Sequence, residues 1–450
     1  MHARQTIAVV GTGISGLGAA WLLSQRHDVT VLEAAARAGG HSNTVEVPGA
    51  DGATAVDTGF IVYNTASYPN LIALFDHLGV ATAPSSMSFA VSLDDGRYEY
   101  SGSGLYSLFG QPANLASPSH WRMILDTLRF FRESPRLLEA AGDEDVTLGQ
   151  YLARSGYSEA FVARHILPMA AAIWSTPSRD VLAFPVTAFV RFFTNHGLLQ
   201  VRDRPKWRTV IGGSREYVHH LAAAMPGRVA LGERVQRIAR TTREVTLTTS
   251  HGVRTFDACV VATHADDALA LLADADADER ALLGAFRYQL NRAVLHRDPS
   301  LMPRRRRLWS SWNYLGSGAA NHTSLSLTYW MNNLQPLGPA CGDLFVTLNP
   351  SREISPGAEI AAFDYTHPMF DTAAMAAQRE LWRLLGRRRT WFCGSYFGYG
   401  FHEDGLQSGL AAAEDIGGVR RPWHVADESG RIHLRPANAV SPLFDREAAE

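Results

Sequence analysis

The chain has little of what would mark several common protein classes. Among 450 residues there are three cysteines, Cys259, Cys341 and Cys393. They lie too far apart for a CxxC pair, a zinc spacing or a disulfide framework, and they suggest no covalent link to a cofactor. A reducing, cytoplasmic setting is the expectation. Lysine is nearly missing: Lys206 is the single example, so arginine carries the positive charge. With 42 basic against 44 acidic residues the formal net charge is −2. No global basic field exists, which argues against nucleic acid as a partner. No uninterrupted apolar run reaches the roughly 18 residues of a membrane span. The 17 histidines show no metal-ligand spacing, and the His219-His220 pair alone is poor evidence, so no metal is expected. Charged residues make up 19% and hydrophobic residues 46%, a globular balance that excludes disorder, collagen and coiled coil as the main state.

The length fits two or three domains of about 150 residues each. The strongest local signal stands at the N-terminus. Thr6–Val10 reads as a short, buried, β-branched strand, followed at once by Gly11-Thr12-Gly13-Ile14-Ser15-Gly16. Residues 17–25 read as a helix and 29–32 as a second strand ending in Glu33, which completes a βαβ unit. In such a unit the first glycine permits the tight turn, the second lets backbone approach a pyrophosphate, and the third lets helix and strand pack closely. The helix N-terminus then offers free N–H groups to phosphate. Glu33 falls 20 residues after Gly13, where a carboxylate accepts hydrogen bonds from ribose hydroxyls. The apolar N-terminus is explained by this glycine spacing, so an export signal is not expected.

Further along, residues 68–78 read as a helix stopped by Gly79. Residues 88–91 and 97–100 read as a hairpin across Asp94-Asp95-Gly96. A mainly helical stretch from 121 to about 193 includes the aromatic run Phe184, Phe189, Phe192 and Phe193. Strands are expected at 235–238, 244–249 and 253–256 as a meander, at 258–262 as a buried run, and at 321–330 and 344–348 in a separate sheet. A short buried strand is expected at 391–393, a closing helix at 405–415, and a polar, peripheral tail after Arg420.

Past Glu33 come Ala34, then Ala38-Gly39-Gly40-His41, then Val56-Asp57-Thr58-Gly59-Phe60. On these segments the sequence resembles the flavoprotein superfamily of amine oxidases, phytoene desaturases and protoporphyrinogen oxidases. There a glycine pair follows the ribose acid and a DxG segment lies beside the flavin. Thr209-Val210-Ile211-Gly212-Gly213, the segment at Val235, Ala258-Cys259-Val260-Val261-Ala262-Thr263, and Cys393-Gly394-Ser395 with Gly405-Leu406-Gln407-Ser408-Gly409 resemble later motifs of the same family. The resemblance implies non-covalent FAD held by Gly11, Gly13, Ile14, Ser15, Gly16, Glu33, Ala34, Gly39, Gly40, His41, Asp57, Thr58, Gly59, Phe60, Val235, Gly394, Asp404, Gly405, Leu406 and Ser408. It also implies an α/β fold: a Rossmann-like FAD domain from residues 1–85, 205–275 and 386–420, an inserted α+β substrate domain from 86–204 and 276–385, and a tail from 421–450. Two positions depart from the superfamily pattern. Ala35 and His41 stand where arginine is common, and Arg37 is the expected substitute near the pyrophosphate.

A narrower resemblance rests on residues 57–64, 309–315, 327–335 and 398–409. They are similar to a branch found beside bacterial cyclopropane-fatty-acid synthases and fused ahead of the plant synthases. This implies oxidation of a methylated, cyclopropanated or unsaturated acyl chain, an acyl-lipid substrate, and a synthase-like partner. His402 and Glu403 are the candidate catalytic residues, with a helix-capping cluster as the other reading of 402–404. Tyr63, Tyr329, Trp330, Tyr396 and Tyr399 line a flavin pocket or pack a core. The 184–193 run reads as a lipid-facing entrance or acyl tunnel, or equally as a buried helix. Arg304-Arg305-Arg306-Arg307 beside Trp309 is a headgroup contact at the inner face of the membrane or a solvated loop. Three other functions stay open: a flavin amine oxidase, though Lys206 precedes the segment that the family's lysine follows; an acyl isomerase without net redox change; and a non-catalytic FAD-binding partner of a synthase.

Overall fold

The computed structural model of the chain describes residues 4–49, 52–139, 146–174, 181–225, 228–316 and 326–436. Its centre is a five-stranded parallel sheet. Strand β1 (Thr6–Val10) lies between β2 (Asp28–Glu33) and Ala258–Val261, with Arg228–Leu231 beyond β2 and Thr390–Phe392 at the other edge. Four of the five β1 residues and all of Ala258–Val261 are buried. Parallel strands covered on both faces need such unbroken apolar runs rather than alternation. Chain order departs from β1 in opposite directions on its two sides, which opens a crevice at the carboxyl ends of the strands.

Helix α1 (Ile14–Ser24) follows the glycine loop and is buried along its whole length. Its outer cover is the closing helix, His402–Ile416. The two backbones approach so closely that a Cβ on Gly409 would lie 2.1 Å from the Ser15 carbonyl oxygen. Leu406 is fully buried, and a Cβ on Gly18 would meet its Cδ1 at 2.8 Å. Small residues on both helices therefore set the depth at which the closing helix begins.

The second sheet has seven strands, in the order Glu359–Met369, Arg287–His296, Phe345–Leu348, Ser326–Trp330, Trp312–Gly316, Phe89–Leu93 and Tyr98–Ser101. Its pairs are antiparallel except Trp312–Gly316 with Phe89–Leu93. The meander appears as Val235–Arg240, Val245–Thr249 and Gly252–Phe256. Of the expected strand at 321–330, residues 321–325 lie outside the described residues. A helical layer, including Pro118–Glu133, Leu167–Trp174 and Val186–Asn195, covers one flank.

One open choice is decided and one expectation needs correction. Of the readings of the aromatic run, the structure shows the buried helix: Phe184, Phe189, Phe192 and Phe193 are buried, and Phe189, Phe192 and Phe193 cluster with Trp174. The tail, by contrast, is not peripheral through residue 436. Arg421 and Ile432 are buried, and Trp423 stacks on Trp21 at 5.6 Å. No helix among the described residues is long and apolar enough to cross a membrane.

Candidate active site

The glycine loop and the closing helix meet at one point. A Cβ on Gly405 would sit 3.0 Å from Ile14 Cγ2 and 3.1 Å from Ser15 Oγ, so two helix N-termini converge beside the loop. Gly13 caps α1 without a side-chain partner, and nothing lies within 4 Å of where its Cβ would be. Gly16 packs onto the Gly11 carbonyl, closing the turn. Free N–H groups at such an end favour an anion. The donor set and the open space at Gly13 thus fit the pyrophosphate of a dinucleotide.

Glu33 ends β2 next to this loop. Its carboxylate accepts hydrogen bonds from the Thr12 N–H at 2.9 Å, the Thr12 hydroxyl and the Ala35 N–H at 2.9 Å. A carboxylate has about four acceptor positions, so capacity remains for a ribose hydroxyl. Ala34 is exposed beside it. The Gly232 N–H donates to the Ala35 carbonyl at 2.9 Å, which brings the segment leading to buried Val235 alongside. Thr12 was not singled out from sequence, yet its hydroxyl also accepts from the Gly39 N–H at 3.1 Å. It ties the first glycine motif to the second.

Gly40 rests on Gly13, with 3.2 Å from its would-be Cβ to Gly13 Cα. Arg37 donates to the Gly40 carbonyl at 2.8 Å and to that of Ser42 at 3.3 Å, so its guanidinium stands at the loop in the absence of the superfamily arginines. Gly59 must be glycine: its Cβ would fall 2.1 Å from the His41 carbonyl oxygen, which accepts from the Phe60 N–H at 2.8 Å. Asp57 is a tether. It accepts from the Thr44 hydroxyl at 2.6 Å, the Ser214 N–H at 2.8 Å and Gln335 Nε2 at 2.9 Å. Burial pushes its carboxyl up to about 6 against these donors. The Thr58 hydroxyl lies 2.9 Å from the Tyr365 hydroxyl, which accepts from Asn43 Nδ2 at 2.8 Å.

His41 sits among rings from the second sheet and the crossover loop. Its ring centroid is 4.9 Å from Tyr365, 5.4 Å from His367 and 6.3 Å from His264. Its Nε2 is buried and has no hydrogen-bond partner among the described residues. Burial, then the neighbouring histidines, holds His41 well below its ordinary value. Burial also holds His367 down to about 4 and lowers His264. Burial thus favours the uncharged form of all three imidazoles.

The 402–404 cluster forms the first turn of the closing helix rather than preceding it. His402 stacks on Phe60 at 3.7 Å, and its Nε2 lies 3.1 Å from Ser42 Oγ and 3.2 Å from the Tyr217 hydroxyl. Burial holds it down to about 3. Glu403 has a structural task. Its carboxylate accepts from the Asn70 N–H at 3.0 Å, Asn70 Nδ2 at 2.8 Å, the Leu71 N–H at 2.9 Å and Gln407 Nε2 at 2.9 Å. It caps α2 (Pro69–Leu78), which has no cap of its own. With both oxygens hydrogen-bonded and the residue fully buried, the geometry is that of a helix cap. Asp404 accepts from the Phe401 N–H at 2.7 Å and pairs with Arg431 at 2.7 Å. Burial pushes it up to about 6 while Arg431 opposes. Ser408 Oγ accepts from the Gly394 N–H at 3.0 Å, fixing the strand-to-helix passage. Of the tyrosines considered, Tyr399 lies by the closing helix beside Arg431 and Phe192, whereas Tyr329 packs on Trp312 within the second sheet.

Residues 14–287 match the family described as flavin containing amine oxidoreductase. The chain belongs to this family. It is an oxidoreductase-type flavoenzyme whose cofactor is FAD, and the glycine junction is where its residues fit that group. No curated protein matches the chain. The fold is shared with a fatty acid isomerase from P. acnes (TM-score 0.65, 17% identity, covering 91% of this chain and 98% of that one). It is also shared with cyclohexylamine oxidase from Brevibacterium oxydans IH-35A (TM-score 0.64, 16% identity, covering 92% and 100%). A putrescine oxidase bound to putrescine is similar as well (TM-score 0.65, 16% identity, covering 92% and 99%).

Proposed function

We propose that this flavoenzyme removes hydride from a C–H bond of an uncharged, hydrophobic substrate, a methylated, cyclopropanated or unsaturated fatty acyl chain. The observation that carries this reading is the buried, histidine-lined wall beside the glycine junction, where burial favours uncharged imidazoles. His41, His264, His367 and His402 are all lowered by burial. The three buried carboxylates there, Asp57, Glu403 and Asp404, are held by donors from the protein. Asp266 and Asp267, whose carboxylates lie within 4.8 Å of a ring nitrogen of His264, are exposed to solvent. Among the described residues a cationic amine would meet no unpaired buried carboxylate in that wall, and desolvating it there would cost several kcal/mol. Lys206 is exposed before the strand Trp207–Val210 and takes no part in the wall. The fatty acid isomerase of the same fold supports room for an acyl chain.

When bound, FAD supplies the two-electron acceptor. The chain's own residues do the rest. The two helix N-termini, Arg37 and Glu33 hold the dinucleotide. His402, through Ser42 and Phe60, positions the Gly59 segment. Tyr365, His367 and His41 exclude water and keep the wall uncharged. FAD is held without a covalent bond: Cys259, Cys341 and Cys393 are all buried, and burial pushes the thiols of Cys259 and Cys393 up, away from the nucleophilic thiolate.

Anaerobic mixing of the holoprotein with methylated or cyclopropanated phospholipids tests the reading. Loss of the visible flavin absorbance is expected. Bleaching by polyamines or aryl amines, with none from any lipid, would overturn it. Conversion of the lipid to a positional isomer with no acceptor used would assign an isomerase instead.

A further inference from the structure

The helix Pro118–Glu133 turns His120, Met123, Asp126 and Phe130 inward. Its outward side carries large apolar residues as well as polar ones. Trp121, Leu125 and Leu128 recur at i, i+4 and i+7 and are 44%, 60% and 48% exposed. The stripe continues off the helix. Trp121 Nε1 donates to the Leu115 carbonyl at 2.9 Å, and Phe109 packs on Trp121 at 4.8 Å. Leu105 and Tyr106, just before Phe109, are 78% and 86% exposed. Leu115, 56% exposed, makes six on adjoining segments; isolated exposed apolar residues need no explanation, but such a group does. The other large exposed apolar residues, such as Val253 and Leu434, stand singly on separate elements.

Positive charge borders this stripe. Arg122 and Arg132 lie on the same helix and are exposed. The arginine run at 304–307 adjoins it, since Leu308 packs directly against Gly110. Within the run, Arg305 is held by buried Glu99, and Arg306 pairs with Asp343 and lies over Trp309. Arg304 and Arg307 are exposed and have no ion pair among the described residues. Nearby acids are occupied: Glu133 pairs with Arg129 and Arg132, and Asp95 with Arg352.

We propose that this face docks the protein on an anionic phospholipid surface, with the leucines and aromatic rings entering the interface and the arginines meeting headgroup phosphates. Its meaning for catalysis rests on the acyl-chain reading. A second copy of the chain is the poorer occupant. Two-fold self-pairing would set this face against itself and bring the arginines toward one another without acids to receive them.

Co-sedimentation of the holoprotein with phosphatidylcholine vesicles, with and without phosphatidylglycerol, tests the proposal. Wild-type protein is expected to partition onto the anionic vesicles and to leave them in high salt, where the Debye length falls to about 3 Å. Leu125→Asp/Leu128→Asp should lower partitioning at least about tenfold. Arg304→Ser/Arg307→Ser should lower it about 25-fold at low salt, about fivefold per charge. Val253→Ser, an exposed apolar site elsewhere, should change nothing. Equal partitioning of all variants, or none by the wild type, would overturn the proposal. So would a wild-type dimer in light scattering that Leu125→Asp/Leu128→Asp dissolves. Flavin bleaching by acyl lipid dispersed in detergent separates the two readings. Binding without bleaching sinks the acyl-chain reading alone, and bleaching without binding sinks the docking face alone.

Discussion

Two helices of the same layer touch through Phe130 and Phe189, whose ring centroids are 6.4 Å apart, yet they treat their apolar residues in opposite ways. Val186–Asn195 buries Phe189, Phe192 and Phe193 among Trp174, His196 and Phe401. Pro118–Glu133 buries one apolar set and leaves another in solvent. The difference teaches that hydrophobic content does not say which way a helix faces. In the first helix every large ring packs on other buried rings, and Phe192 reaches Phe401, far away in sequence. In the second, the ring and hydrogen-bond partners of the outward residues among the described residues are Phe109 and the Leu115 carbonyl, both on Trp121.

The largest effect should come from the buried helix. Phe193→Ala is expected to cost about 3–5 kcal/mol, transfer plus cavity, in denaturant unfolding of the holoprotein. A cost below 1 kcal/mol would mean that the layer is loosely packed and the contrast weak.

Acid should act on the same interior. Burial holds His196 and His402 down to about 3, and His165, His296 and His367 down to about 4. In the unfolded chain they would protonate near 6.5. Their contribution is therefore full above 6.5 and is lost as pH falls toward the folded values, by up to about 1.4 kcal/mol per histidine per pH unit. Asp57 and Asp404 act the other way. Their folded values near 6 exceed the ordinary 3.8, so their contribution is present below 3.8 and lost as pH rises through 6. Histidines outnumber these carboxylates, so net stability should fall by a few kcal/mol between neutral pH and about 5.5. A flat profile from thermal unfolding across that window would show that the histidines are solvated.

Glu403→Gln comes next. The amide would turn a donor toward the donors of Asn70 and Leu71, at about 1–3 kcal/mol, with turnover per bound flavin retained. A large fall in that turnover at unchanged stability would restore a catalytic role. Smallest of all, Leu125→Ser on the exposed helix should shift stability by no more than about 0.5 kcal/mol. A larger loss would mean that its outward face is packed, and the comparison would collapse.

What was legible in the sequence was local. The turn from β1 into α1, the placement of Glu33 and the Asp94-Asp95-Gly96 hairpin each depend on neighbours a few residues away, and the parallel strands at 6–10 and 258–261 announced themselves as unbroken apolar runs, whereas the half-exposed edge strand Arg228–Leu231 did not. Partners distant in sequence were not legible. Nothing near Glu403 says that its carboxylate caps a helix starting at Pro69. Nothing near Arg431 says that it neutralises Asp404, so a segment rich in polar residues read as a loose tail. Residues 184–193 had the right composition for a lipid entrance, and only the ring of partners around Trp174 decides otherwise. Leu125 and Leu128 carried no signal because their pattern is also that of a helix buried on all sides.

The Asp404–Arg431 pair sets an order of events during synthesis. The parallel sheet takes strands from residue 6 to residue 392, and the closing helix gains its countercharge only from residue 431. At about 5–20 residues per second, β1 waits some tens of seconds on the ribosome before its second neighbour exists, and longer before the cofactor cradle is complete. The apolar strands near the N-terminus are exposed throughout that interval. Loading of FAD is then a late step, one that waits until residue 431 has been made.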